Sequence, residues 1–425
     1  MSQSQNYSRA WMVAISGTVI NLCLGVLYAW SVFSKELQDQ LGFTATQTSL
    51  PYSVAIILFA LFMVPAGIML DRLGPRLLLL LSGLLIGVGF AIAGLTLSVA
   101  GLVIGFGIVA GAAMGFGYAA PTPTAAKWFK PHLRGTITGI VVSGYGLAAV
   151  YVSPLADSLI SRFGIANAFY YLGAFFTILI VLSSFFMKSP PKGWVPVGGE
   201  APVSKTNEDQ ASSSISTDRK DFSPGEMMKT LQFWSLWIMY AFSASAGLII
   251  IGHVAKIAQT QGGLETGFLF AALLAIGNAG GRIVTGIVSD KIGRSATLIL
   301  VFIIQAVNMF AFASYTSPMT LTVGAIVTGA TYGALLALFP ATTWDWFGLK
   351  HAGTNYGLIF TAWGVGGLVG PLMAGRVIDA TGGYGAAYII SAILLLIAAG
   401  LGFITRAPKV KNFTKAQPDD VSKTM

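Results

Sequence analysis

Charge is what this chain has least of. Of its 425 residues only 10% are Asp, Glu, Lys or Arg, while 55% are hydrophobic. Soluble domains run at about a quarter charged, so a fold bathed in water on all sides is excluded. Cysteine is nearly absent: Cys23 stands alone, which rules out an intrachain disulfide and suggests no Cys-based metal site. Histidine is scarce too, with three residues. The sequence clusters no His, Cys or acids for metal or nucleophilic chemistry, so an enzyme is disfavoured and no metal or cofactor is expected. The formal charge of +9 does not imply nucleic acid. Its basic residues lie between apolar runs and in the C-terminal tail, not on one water-exposed face.

What the chain does have is long apolar runs, each near the roughly 20 residues that one bilayer crossing needs. Twelve can be placed, at about 10–34, 50–70, 77–99, 101–126, 135–157, 165–187, 231–254, 264–289, 295–315, 319–343, 352–378 and 384–406. The expected architecture is an all-α membrane protein with a six-helix half over 1–187, a linker over 188–230, and a second six-helix half with a tail over 231–425. The linker carries Pro190, Pro191, the run Ser212-Ser213-Ser214 and mixed charges, and reads as flexible. The first run lacks a small-residue cleavage site and is read as a retained helix.

Lys and Arg counts orient the chain. With the N-terminus inside, the outer segments carry Lys35, Arg162, Lys256 and Arg376, Arg282 lies within a span, and the other 20 of 25 basic residues are inside. Both termini are therefore expected in the cytoplasm, in a multi-pass protein of the cell (inner) membrane that works as a monomer.

The two halves repeat. Gly67-Ile-Met-Leu-Asp71-Arg72-Leu-Gly74-Pro75-Arg76 between spans two and three returns as Gly286-Ile-Val-Ser-Asp290-Lys291-Ile-Gly293-Arg294 between spans eight and nine. Trp128-Phe129 returns as Trp346-Phe347, and Gly135-Thr136 with Gly139 returns as Gly353-Thr354 with Gly357. Three matches at nearly constant offset indicate duplication, and a transporter built from repeats binds substrate near the midplane between them. The loop pattern resembles the signature of the major facilitator superfamily. That resemblance implies its fold, and it makes Asp71, Arg72, Asp290 and Lys291 gating residues rather than substrate ligands; the plainer reading is ordinary interfacial charge. Gly107, Gly111 and Gly115, at four-residue spacing in span four, predict close helix contact.

Arg282 is the charge that needs an explanation. It precedes Asp290 by eight residues, about 12 Å of helix rise, which puts it near the middle of a bilayer whose half-thickness is about 15 Å. All sixteen acids fall in loops, linker, tail or span ends, so no carboxylate is expected beside it. A guanidinium fork suits a carboxylate bidentately, and the inference is that a transported anion completes the pair. The competing reading is an arginine satisfied by helix carbonyls and water. Asn278, one turn earlier on the same face, is a candidate donor to the anion or a plain interhelical contact. Tyr28 with Leu27 beside it, Tyr118, Tyr145, Tyr332, Phe360 and Trp363 lie at comparable depth and are candidate pocket walls, or packing aromatics.

Tyr28-Ala-Trp30, Asn278-x-x-x-Arg282, Gly144-Tyr145-Gly146 and Gln232-Phe-Trp234 resemble the oxalate/formate antiporter family, which is related to the monocarboxylate transporters. In that family an arginine and a lysine clamp a dicarboxylate inside an aromatic cage. The resemblance makes Arg282 that arginine and Tyr28, Tyr118 and Tyr145 cage tyrosines, with Phe360 and Tyr332 where the family has tryptophans. The lysine position is Trp363, and a further cage tyrosine is Leu336. One cation then neutralises one carboxylate, which favours a monocarboxylate such as L-lactate or pyruvate, since a second unpaired carboxylate costs several kcal/mol to desolvate. Monocarboxylate transporters of animals carry an Asp four residues before the matching arginine and a lysine in span one. Here the first is Asn278 and the second is missing, so a coupled proton needs another group. His253 is the candidate, against the reading of a polar residue at the interface; Lys256, Glu265 and Asp379 are also near the outer vestibule.

The expected function is thus alternating-access transport of a small monocarboxylate with a proton. An oxalate/formate-type anion antiporter is the alternative, and a non-transporting sensor is less favoured because the linker is too short for a signalling domain.

Overall fold

With no water inside a bilayer, a spanning segment must satisfy its own backbone groups, so each apolar run winds into a helix. The computed structural model describes residues 3–129, 131–190, 221–348 and 351–408. Among these, twelve helices are long and apolar enough to cross a membrane. They are α1 (Ser8–Leu41), α2 (Ala45–Gly67), α3 (Pro75–Thr96), α4 (Val99–Ala126), α5 (Gly139–Phe163), α6 (Ile165–Ser184), α7 (Leu231–Gly262), α8 (Gly267–Ser289), α9 (Arg294–Phe312), α10 (Pro318–Phe347), α11 (Thr354–Thr381) and α12 (Gly385–Ile404). They form two six-helix bundles. Twelve crossings leave the start of α1 and the end of α12 on one side, here called the terminal face, opposite the distal face. Most of the expected linker, residues 191–220, lies outside the described residues.

The first helix departs most from expectation. It runs seven residues past the expected limit, to Leu41, where Gly42 turns left-handed at φ 67°. Lys35 and Asp39 pair along it at 3.3 Å, so charges expected in a loop ride on its last turns. Midway, over Gly25–Ala29, it tightens into a 3-10 turn, a feature that marks hinges when it falls inside a long helix.

The repeated loop has one geometry in both copies. Gly74 (φ 77°, ψ 169°) and Gly293 (φ 89°, ψ 157°) each end one helix and start the next without a spacer. A side chain is strained there, which is why glycine recurs. The side chains of Asp71 and Asp290 lie outside the described residues. Arg72 and Lys291 are exposed at the terminal-face ends of their helices. The last arginine of each copy is held: Arg76 lies 4.3 Å over the Phe185 ring, and Arg294 bonds Asp345 at 3.2 Å and also Ser289.

Small residues set the tightest seams. Gly107, Gly111 and Gly115 of α4 lie against Pro51–Val54, Ala55 and Phe59–Phe62 of α2, as their spacing predicts. A tighter seam joins α8 to α10. A Cβ on Gly277 or Gly281 would overlap the backbone of Ile326 or Ala330, and one on Gly329 or Gly333 would overlap that of Leu274 or Asn278.

The bundles meet along α2 and α11, α5 and α8, and α1 and α7. At the distal face they are closed. Gly375 of α11 rests on the Ala45–Thr46 backbone of α2, and the Asp379 carboxylate accepts from the Ala45 and Thr46 N–H groups at 2.9 and 3.0 Å. Lys35 of α1 reaches Glu265 at 3.7 Å, and Lys256 of α7 bonds Asp39. At the terminal face, no atom of the described residues lies within 4 Å of a Cβ built on Gly67, Gly139, Gly286 or Gly357, near the ends of α2, α5, α8 and α11. The described contacts between the bundles are thus concentrated at the distal face and the centre.

Candidate functional site

The 3-10 turn of α1 delivers Leu27 and Tyr28 to the centre, both buried. Gly25 permits this: a Cβ there would overlap Tyr145 O and Ala148 of α5. Tyr28 packs edge-on against Tyr145 (5.1 Å between centroids) and Tyr332 (5.9 Å), and Tyr118 against Tyr145 (5.2 Å). Phe360 and Trp363, three apart on α11, stack at 4.9 Å. The helices of both bundles thus gather every aromatic expected at the site into one cluster.

Trp363 occupies a specific place in it. Its Nε1–H donates to the Tyr332 hydroxyl at 2.6 Å, and the Tyr28 hydroxyl donates to the same oxygen at 3.3 Å. With its oxygen accepting from both sides, Tyr332 keeps its own O–H as a remaining donor.

Arg282 sits at the edge of this cluster, half-buried, with Asn278 fully buried one turn before it. Its Nε–H donates to Asn278 Oδ1 at 3.0 Å and its Nη1 to the Val142 carbonyl of α5 at 3.4 Å. The carbonyl contact the sequence left open is therefore present, and it crosses between the bundles. Among the described residues Arg282 forms no ion pair with a carboxylate. Gly146 gives the guanidinium room: a Cβ there would lie 3.2 Å from Asn278 Oδ1 and 3.5 Å from Arg282 Nη2. The Tyr118 hydroxyl is the phenol beside the guanidinium.

Several buried polar atoms here have no partner among the described residues: Asn278 Nδ2 and the hydroxyls of Tyr52 and Tyr145. Buried polar groups are nearly always paired, and these three can all donate. The centre is thus rich in hydrogen-bond donors, with one cation and no acid among the residues described.

Three cluster members carried no distinguishing sequence signal. Phe59 of α2 touches Tyr118, Tyr145, Phe360 and Trp363, at 5.3 to 6.2 Å, yet a phenylalanine in an apolar run looks like any other. Tyr240 stacks on Phe339 at 4.0 Å and Tyr356 packs on Phe360 at 5.7 Å. Their depth in α7 and α11 was the available clue.

His253 is not brought into the cluster. Buried near the distal face, its ring nitrogens face Ser49 Oγ at 3.1 Å and the Tyr384 hydroxyl at 3.5 Å. The other three outer candidates are committed to distal contacts, Lys256 to Asp39, Glu265 to Lys35 and Asp379 to the start of α2. Leu336 is partly buried against the core.

The Major Facilitator Superfamily profile matches residues 13–313 and 236–424. The oxalate:formate antiporter of Oxalobacter formigenes is 30% identical over 416 residues, covering 95% of this chain and 94% of that protein. Monocarboxylate transporter 13 of Rattus norvegicus is 23% identical over 400 residues, covering 92% and 87%. Among solved structures, a bacterial homolog of the human lysosomal transporter Spinster, inward-facing and occupied, superposes with a TM-score of 0.69 at 17% identity, covering 95% of this chain and 97% of that one. With its repeated loop, its two bundles and this profile across both halves, the chain belongs to the Major Facilitator Superfamily and is a secondary transporter, not an enzyme.

Proposed function

We propose that this transporter exchanges small carboxylate anions across the membrane by alternating access, with the carboxylate held at Arg282. The observation that carries the reading is the guanidinium half-buried between the bundles, its Nε spent on Asn278 and its Nη1 resting on a backbone carbonyl at 3.4 Å. A charged acceptor binds such a donor better than a carbonyl does. Arriving carboxylate therefore takes the guanidinium from Val142, and the unpartnered Asn278 Nδ2 gives it a second donor. Exchange, rather than the proton coupling first inferred from sequence, is the transport mode that the likeness to the oxalate:formate antiporter supports.

The substrate in this reading bears one carboxylate, as formate, lactate or pyruvate do. What supports this is Trp363, whose indole is bonded to Tyr332 and stacked on Phe360, so that the cluster offers a second carboxylate no second cation. Proton-coupled uptake is the second reading, favoured by His253 between Ser49 and Tyr384. The Lys and Arg distribution supports a cytoplasmic terminal face.

Proteoliposomes preloaded with formate, oxalate or L-lactate test the reading. Exchange predicts external uptake only when an internal anion is present; uptake driven by a pH gradient into empty vesicles would instead establish symport. Arg282→Gln is expected to abolish uptake in a folded protein, and a variant that still binds lactate and formate rejects the site.

A further inference from the structure

The internal repeat reaches into the site itself. Met63 and Phe59 precede Asp71 by eight and twelve residues, as Arg282 and Asn278 precede Asp290. The packing repeats with the sequence. A Cβ on Gly115 of α4 would overlap the Phe59 carbonyl of α2, and one on Gly333 of α10 would overlap the Asn278 carbonyl of α8. One turn earlier, Gly111 meets Ala55 as Gly329 meets Leu274. Phe59 and Met63 thus hold in the first bundle the places that Asn278 and Arg282 hold in the second.

The facing helices repeat as well. Arg282 meets α5 at Val142 and Gly146, and the residues at the same spacing beyond the repeated Gly-Thr pair in α11 are Phe360 and Gly364. Phe59 packs on Phe360 at 6.2 Å, and a Cβ on Gly364 would overlap Ala60 of α2. A site between repeats draws equivalent positions from both, and here the two arms are opposite in character. The α8 arm carries an amide and a guanidinium, the α2 arm a phenyl ring and a thioether. Phe59 joins the arms: its buried ring lies 5.4 Å from that of Tyr118, the phenol beside the guanidinium, and 5.3 Å from that of Trp363.

We propose that Phe59 is a specificity-determining residue, receiving the uncharged end of the anion and limiting it to a short alkyl group. The proposal rests on the assignment of the carboxylate to Arg282. With the carboxylate there, the other end of the anion meets the α2 arm, which offers it neither charge nor hydrogen-bond donor. A polar end would be desolvated at that arm without compensation, and a longer alkyl end would collide with a ring held on four sides by other aromatics.

Calorimetry of the full chain in detergent with formate, propionate, valerate and succinate tests this. The parent should bind propionate more tightly than valerate. Phe59→Ala should raise the valerate-to-propionate affinity ratio about tenfold, the scale on which an apolar pocket distinguishes a methylene, and leave formate unchanged. Phe59→Leu, which disturbs the packing less, should shift the ratio in the same direction by a smaller factor. A merely structural role would weaken every anion alike, so an unchanged ratio in the folded variants overturns the proposal. A gain in succinate affinity without one for valerate overturns it too. Arg282→Gln separates the two readings. If that variant binds all four anions as the parent does, the carboxylate assignment fails and the role of Phe59 with it. If it loses them while Phe59→Ala keeps the parental ratio, the role of Phe59 alone is rejected.

Discussion

Asp379 of the second bundle caps a helix of the first: its two carboxylate oxygens accept from the backbone N–H groups of Ala45 and Thr46 at 2.9 and 3.0 Å. An acid on a helix N-terminus satisfies orphan donors and opposes the positive end of the dipole. Here the stabilised helix start and the acid belong to bodies that must separate for the distal face to open.

Asp379→Ala should therefore favour the distal-open state by about 1 kcal/mol, roughly five-fold in population. The readout is labelling of Ser53→Cys, a fully buried α2 position, by an impermeant maleimide from the distal side. The single native cysteine, Cys23, is itself buried and gives little background. Labelling no faster than in the Asp379 parent would dismiss the latch.

Trp363→Lys puts a second cation beside the aromatic cluster and breaks the bond to Tyr332. We expect oxalate affinity to rise and formate or lactate affinity to fall, by about tenfold each way. Binding by calorimetry in detergent reads this directly. Unchanged selectivity would remove Trp363 from any part in charge discrimination.

Tyr145→Phe separates function from stability. The hydroxyl is buried with no partner among the described residues, and such a group costs about 1–3 kcal/mol. The variant should melt at the same temperature or higher while binding its anion about five- to tenfold more weakly. A variant with unaltered affinity would mean that the phenol never meets the ligand.

Gly281→Val attacks the α8–α10 seam, where even a methyl overlaps the Ala330 backbone. Packing that brings helix backbones together in a membrane depends on small residues. Loss of the monodisperse peak in detergent chromatography is expected, whereas Gly280→Ala, one residue away in open space, should behave as the parent. Indistinguishable elution of the two would contradict the seam.

Much of this was legible in the sequence, for reasons that differ by feature. The twelve crossings follow from hydropathy, because the bilayer demands helices of a set length. The repeated loop was legible because Gly74 and Gly293 adopt a backbone conformation that other residues resist. Arg282 could be picked out because a charge at that depth is costly, whereas its contact with Val142 depends on how two bundles dock and leaves no trace in one chain's order. The end of α1 was misplaced because hydropathy stops at the first charge, while the helix continues on an i,i+4 ion pair and bonds to the opposite bundle. Phe59 was invisible because nothing in its type separates a cage wall from a lipid-facing ring.

The glycine seam between α8 and α10 has a consequence for motion. Arg282 and Tyr332 stand on two helices whose backbones touch, so neither can slide past the other without collision. The cation and the phenol therefore travel as one rigid jaw, and the opposing jaw is α1, α2 and α5 with Tyr28, Phe59 and Tyr145. That second jaw carries the 3-10 turn of α1 over Gly25–Ala29. A bound anion would keep its charge partner at constant distance throughout the cycle and feel the opening as a retreat of the facing aromatic wall.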